Sequence, residues 1–260
     1  MDSIYRLEQR SYHSARLPFV ARTYIVTMEG SDRRPSYLAQ MHSQPLTEKV
    51  IVVHNPGFRQ TPKPGVSSTV EDLWHANQFV FQHCADIDAP ILVLEDDATL
   101  SRLSDAHVAQ ISDALAENCE ALFLGTWPLV SWRHGARIRL GFCAFAHAVV
   151  YSRSARDCLL GKSLPRVLGL TIPHDVYVSS SVYACTLREP VAFQRHVSTD
   201  NAKTWDPLGA LRLYFSAWRA HETPEPMTHF HHRLGFVGGA FAIVLGLIVV
   251  ICAAVGGLRR

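Results

Sequence analysis

The sequence predicts an α/β fold, a mostly parallel sheet flanked by helices, on three observations. From Arg22 onward short β-rich runs alternate with longer helical patterns, the order that builds βαβ units. The run Ile91–Leu94 is apolar throughout, as a central parallel strand covered on both faces must be. With 260 residues, 48% hydrophobic and 18% charged, the chain can bury one sizeable core. One catalytic-size domain with appendages follows.

Residues 1–21 contain no uninterrupted apolar run, so they are no secretory signal and are read as an N-terminal extension. Thr23–Thr27 (TYIVT) is the first strand, and SDRRPSYLAQMHSQ a loop entering a helix. Lys49–His54 (KVIVVH) is the second strand. The stretch NPGFRQTPKPGVSS, residues 55–68, is crowded with Pro, Gly and Ser and is a loop. Its last serines cap a helix over Val70–Cys84, whose first turn holds Glu71 and Asp72 where the helix dipole favours them. After the strand Ile91–Leu94 come a helix over Leu103–Glu117 capped by Ser104, a strand Ala121–Leu124, and a core-crossing apolar stretch, Phe142–Tyr151. Ser152–Leu160 is a helix, Thr171–Tyr183 a turn feeding a helix with Asp175 near its start, and Val191–Phe193 an edge strand.

The net charge is +2 with histidines neutral, and no Lys/Arg stripe with interleaved aromatics is present, so the pattern speaks against nucleic-acid binding. Cys84, Cys119, Cys143, Cys158 and Cys185 lie in apolar surroundings and Cys252 in the hydrophobic tail, without CxxC spacing; they read as reduced, structural thiols. Leu234–Leu258 holds no charged residue between His231-His232-Arg233 and Arg259-Arg260. That length spans a hydrocarbon core of about 30 Å, which predicts a C-terminal transmembrane tail anchor with the preceding domain on the cytoplasmic side. Gly235 and Gly239 form a GxxxG, a helix-pairing face through which a homodimer could form.

The strand Ile91–Leu94 runs into three consecutive carboxylates, Glu95, Asp96 and Asp97. Such anions repel one another unless a positive charge or solvent separates them. Ligands of open α/β sheets bind beyond the carboxyl ends of the strands, where this triplet falls. A divalent cation prefers hard oxygen ligands and can carry phosphates in turn. Alternatively, Asp96 and Asp97 cap the next turn or face water.

The blocks YIVTMEGSDRRPSYLAQM, VEDLWHANQFVFQHC, ILVLEDDATL, FCAFAHAVVYSRSARDCLL, PHDVYVSSSVY and PVAFQRHVSTDN, in this order over most of residues 22–201, resemble glycosyltransferase family 25, the group that includes lipopolysaccharide and collagen galactosyltransferases. The opening block departs from the family, with MEGSDRR where an Asn-Leu-Asp run often precedes the arginine. The resemblance implies a GT-A-like nucleotide-diphospho-sugar transferase fold over residues 22–205, with a D-x-D type motif at Glu95-Asp96-Asp97. By it Asp97 coordinates Mn²⁺ or Mg²⁺, Glu95 the donor ribose or metal-bound water, and Asp96 belongs to the same nucleotide-sugar site. His196 is a candidate third metal ligand or phosphate contact, and Arg33 and Arg34 reach the donor's diphosphate or base.

Inversion at the sugar carbon needs a base for the acceptor hydroxyl. Asp175 is the candidate; an acidic first-turn residue held by the helix dipole is the other reading of it. Residues 206–233 comprise an amphipathic segment, Pro207–Ala220, and a histidine-containing juxtamembrane linker. That segment fits a membrane surface or the last helix of the domain, and residues 234–258 follow as the transmembrane helix. The expected activity is transfer of a hexose, galactose or glucose, from a nucleotide sugar to a glycan, lipid or protein acceptor. A catalytically inactive membrane-anchored scaffold and a nucleotide-sugar hydrolase fit the same residues. No hydrolase elbow, P-loop or G-x-G-x-x-G is present.

Overall fold

A computed structural model describes residues 4–194 apart from 135–136, 168 and 188. Its elements run β1 (Arg6–Ser11), β2 (Arg22–Met28), α1 (Arg34–Ser43), β3 (Lys49–Asn55), α2 (Thr69–His83), β4 (Ile91–Glu95), β5 (Ala98–Leu100) and α3 (Asp105–Ala116). They continue with β6 (Ala121–His134), β7 (Arg137–Tyr151), α4 (Arg153–Leu159), β8 (Arg166–Val167), β9 (Leu170–Thr171), α5 (His174–Ser181), β10 (Ala184–Thr186) and β11 (Ala192–Gln194). Seven strands form one sheet in the order β1-β3-β2-β4-β7-β10-β6.

The fold is mixed α/β, and the sheet is mixed where a mostly parallel one was expected. Its centre, β3-β2-β4, is parallel. β1 joins β3 antiparallel, and β7 runs antiparallel to β4, β6 and β10. Ala121–Leu124 and Phe142–Tyr151 are the inner ends of a long hairpin, β6–β7, whose bulges interrupt the alternation that periodicity arguments use. The stretch read as an N-terminal extension supplies β1, paired with β3 from Arg6↔His54 to Ser11↔Lys49.

Side chains alternate across the sheet and build a core on each face. Tyr24, Val26, Ile51, Val53, Ile91 and Val93 face one cluster, which α2, α4 and α5 close with Trp74, Phe79, Phe81, Leu159 and Val178. Ile25, Val50, Val52, Leu92 and Leu94 face the other, closed by Tyr37 and Met41 of α1 and Ile111 and Ala114 of α3. Each such aliphatic side chain removed from water contributes about 1.5–3 kcal/mol. Two-sided burial is the reason Ile91–Leu94 has no polar residue.

The helices begin where their capping residues stand. Ser68 Oγ accepts the Glu71 N–H, Ser104 Oγ the His107 N–H, and Ser152 Oγ the Ala155 N–H. α5 lacks a side-chain cap and begins after Pro173. Cys84, Cys119, Cys143 and Cys185 are buried and form no disulfide; Cys158, expected among apolar neighbours, is exposed because it lies on the outer side of α4. Among the described residues no helix is long and apolar enough to cross a membrane. His196, the amphipathic segment, the linker and Leu234–Leu258 lie outside the described residues.

Candidate functional site

The parallel strands β2, β3 and β4 end together, and the acidic triplet stands at that edge. Glu95 is the last residue of β4, opposite Val26, and Asp96 and Asp97 make the tight turn into β5. β5 leaves the large sheet and pairs with β11, Leu100 opposite Ala192 and Ala98 opposite Gln194. The turn is therefore held on one side by the sheet and on the other by a two-stranded ribbon.

Asp96 is fixed in place. Its Oδ2 accepts hydrogen bonds from Thr27 Oγ1 at 2.7 Å and Ser31 Oγ at 2.8 Å, and its Oδ1 from Arg33 Nη1 at 2.9 Å. It ties the end of β4 to the loop after β2, so a nucleotide-sugar contact, the part first assigned to it, competes with this structural one. Arg33 also stands 3.7 Å from Asp97 Oδ2, and Asp97 is 3% exposed. Burial alone would lower the Arg33 guanidinium, but Asp96, then Asp97 and Asp32, hold it above its ordinary value.

Asp175 comes to the same place from a distant part of the chain. α5 is bound to β7 where the Cys143 N–H donates to Ser179 Oγ at 3.1 Å and the Cys143 thiol donates to the Asp175 carbonyl. Tyr177 meets Trp74 of α2 edge to face at 5.6 Å. Asp175 is 9% exposed, and its Oδ1 accepts the Val176 N–H at 2.9 Å, so part of its capacity serves the helix start. Burial first, then the charges of Asp97, Asp175 and Asp96, push the Glu95 carboxyl well above its ordinary value, with Arg33 opposing. Asp97, from the turn, and Asp175, from α5, thus both act on Glu95.

His174 belongs to this group and was missed in the sequence. Its Nε2 lies 3.8 Å from Glu95 Oε1, and burial lowers its pKa, with Asp175 acting against that. Thr27 and Ser31 were missed as well, although both lie in the block that yielded Arg33. A hydroxyl residue at a strand end is too common to signal a carboxylate partner forty or more positions away. Arg34 goes elsewhere. It pairs with both oxygens of Glu8 on β1 at 2.9 and 3.0 Å, away from the triplet.

A second buried polar group flanks the edge at β3. Lys63 Nζ, from the loop after β3, donates to Asn55 Oδ1 and Asp72 Oδ1, and the Phe58 N–H donates to Asp72 Oδ2 at 3.3 Å. The charged lysine is tolerated because its partner is opposite in sign and hydrogen-bonded. Asp72, read as a helix-start acid, is the anchor of this loop.

Among the described residues no group of three or more His, Cys, Asp and Glu side chains is arranged as a complete metal site. Mg²⁺-type ions ask for less, one or two carboxylates with substrate phosphate and water completing the shell. Glu95 and Asp97 supply the two hard carboxylate donors of that smaller requirement, and burial first, then the neighbouring carboxylates, hold the Glu95 carboxyl above its ordinary value, a balance that a dication would reverse.

No model of a known protein family and no curated protein matches the chain. Among solved structures, apo UDP-glucose pyrophosphorylase is similar over 64% of this chain and 72% of its own, with 10% sequence identity and a TM-score of 0.35. A likeness of that size carries no argument about activity. Membership of glycosyltransferase family 25 is accordingly not shown.

Proposed function

We propose that the protein is a metal-dependent glycosyltransferase that moves a hexose, galactose or glucose, from a nucleotide sugar to an acceptor hydroxyl with inversion. The observation that supports it is the meeting of Glu95, Asp97 and Asp175 from two separate stretches of chain at the carboxyl edge of the parallel strands. Glu95 and Asp97 would hold Mn²⁺ or Mg²⁺. When bound, the ion offsets the charge of the donor diphosphate and of the leaving nucleoside diphosphate. Asp175 would take the proton of the acceptor hydroxyl, its position fixed by the contacts between α5 and β7. Arg33 would face the diphosphate beside the metal. His196, which lies outside the described residues, is kept in the proposal as a third ligand on sequence alone. Membrane anchoring by Leu234–Leu258 and pairing through Gly235 and Gly239 belong to the proposal on sequence alone.

The test is nucleoside diphosphate release from a panel of nucleotide sugars with Mn²⁺, comparing wild type with Asp97→Ala. Release from one donor that drops by about 10²-fold or more in the mutant is the expected result. Release without incorporation into any acceptor would assign a hydrolase instead. Silence in both proteins, with no nucleotide bound, would favour the scaffold reading.

A further inference from the structure

Arg33 stands against the acidic turn. Its guanidinium lies between two carboxylates of the acidic turn, 2.9 Å from Asp96 Oδ1 and 3.7 Å from Asp97 Oδ2. The two contacts are unequal. Asp96 is held by Thr27 and Ser31 as well, so it stays in place whatever Arg33 does. Asp97 lies beyond hydrogen-bond distance of Arg33 and is held to it by charge.

Among the described residues, the charges facing the turn come from three places. Arg33 and the exposed Asp32 stand on the loop after β2, Glu95 with Asp96 and Asp97 at the end of β4, and His174 with Asp175 at the start of α5. Burial first, then the charges of Asp97, Asp175 and Asp96, act on Glu95, and among the described residues Arg33 opposes them. A dication entering this volume gains Glu95 and Asp97 but brings its charge close to the guanidinium, which repels it. A nucleoside diphosphate changes the balance. Arg33 spends one nitrogen on Asp96 and has further N–H donors in its planar fork, a shape that suits phosphate oxygens.

We propose that Arg33 is the resident counter-cation of the acidic turn and yields Asp97 to a divalent cation only when a nucleoside diphosphate arrives to receive the guanidinium. This rests on the metal-site reading of Glu95 and Asp97. Its consequence is obligatory coupling: metal binds weakly alone and tightly with the nucleotide, and the nucleotide does the same with metal, because linkage is reciprocal. Arg33 is then a positioning residue with effects of opposite sign on the two ligands, which a merely structural arginine would not have.

The experiment is a Mn²⁺ titration of the full chain in detergent, read by the electron paramagnetic resonance signal of free Mn²⁺, with and without UDP. Wild type is expected to bind Mn²⁺ about tenfold or more tightly when UDP is present. Arg33→Met is expected to bind Mn²⁺ alone about tenfold more tightly than wild type and to lose the sharpening by UDP; Arg33→Lys, which keeps the charge on a point donor, lies between. If Mn²⁺ and UDP bind wild type independently, the coupling is absent and the proposal falls without any variant. If Arg33→Met, folded by circular dichroism, binds Mn²⁺ alone no better than wild type, Arg33 is not the competitor. Mn²⁺ binding that is identical in wild type and Asp97→Ala, with and without UDP, would instead remove the metal-site reading beneath the proposal.

Discussion

A single histidine records how far the interior of this protein is closed to water. His147 on β7 is 5% exposed, and burial lowers its imidazole from 6.5 to about 4, with the Ala192 backbone acting in the other direction. The unfolded chain takes up this proton near 6.5 and the folded chain only near 4. Between those values the unfolded state binds more protons, so stability rises with pH across the window and falls as acid is added. Roughly 3 kcal/mol is expected to disappear over that interval. Denaturant unfolding at both ends of the window measures it, and His147→Gln should flatten the difference; an unchanged slope in the variant would place the sensitivity in another group. At this scale the sequence was partly legible. Three consecutive carboxylates after an apolar strand make a candidate site by local pattern, whereas an aspartate at a helix start is ordinary, and Asp175 was singled out with the help of the family resemblance. Partnerships such as Asp96 with Thr27, Ser31 and Arg33, or Lys63 with Asp72, are set by the fold, and no spacing encodes them. The three residues of the triplet are not held alike. Asp96 is paired with an arginine and hydrogen-bonded by two hydroxyls, whereas burial first and then its neighbours hold the Glu95 carboxyl above its ordinary value.

At the scale of elements, β11 approaches β6 so closely that Gly125 has no room for a side chain. A methyl group on Gly125 would stand 1.8 Å from the Ala192 carbonyl oxygen and 2.7 Å from its carbon, both backbone atoms that cannot turn away. Gly125→Ala is therefore expected to cost roughly 3 kcal/mol and to push β11 off its seat, lowering nucleoside diphosphate release further than its loss of stability explains. Thermal unfolding beside turnover checks this, and a variant with wild-type values in both would show that β11 is free to shift. Most elements were readable because their signals are local. Serine caps and hydrophobic periodicity place α2, α3 and α4, and alternation across two cores explains β2, β3 and β4. The β6–β7 hairpin was read only at its inner ends because register shifts between Phe123 and Ser131 break the period. β1 was missed since its residues are mostly exposed, and exposed strand residues lack the apolar alternation that identifies a strand.

For the whole molecule, β1 closes the sheet at β3. Without it the apolar strand Lys49–Asn55 would present an unpaired edge, a template for pairing with other chains, and Arg34 would lose Glu8. Deleting residues 1–11 is expected to lower the thermal midpoint and to cause concentration-dependent aggregation, followed by light scattering; a monodisperse product of unchanged midpoint would return these residues to the status of an extension. The same long-range logic governs the acidic turn. Ala98–Leu100 pairs with Ala192–Gln194, a strand made far later in synthesis, and Asp175 too is distant from Glu95 in the chain. Closing such long loops is entropically costly and slow. As the chain leaves the ribosome, β2, β3 and β4 are complete while the ribbon that pins Asp97 does not yet exist. The nascent protein thus carries its most crowded anions on a half-tethered turn, and these carboxylates are set only when β11 arrives.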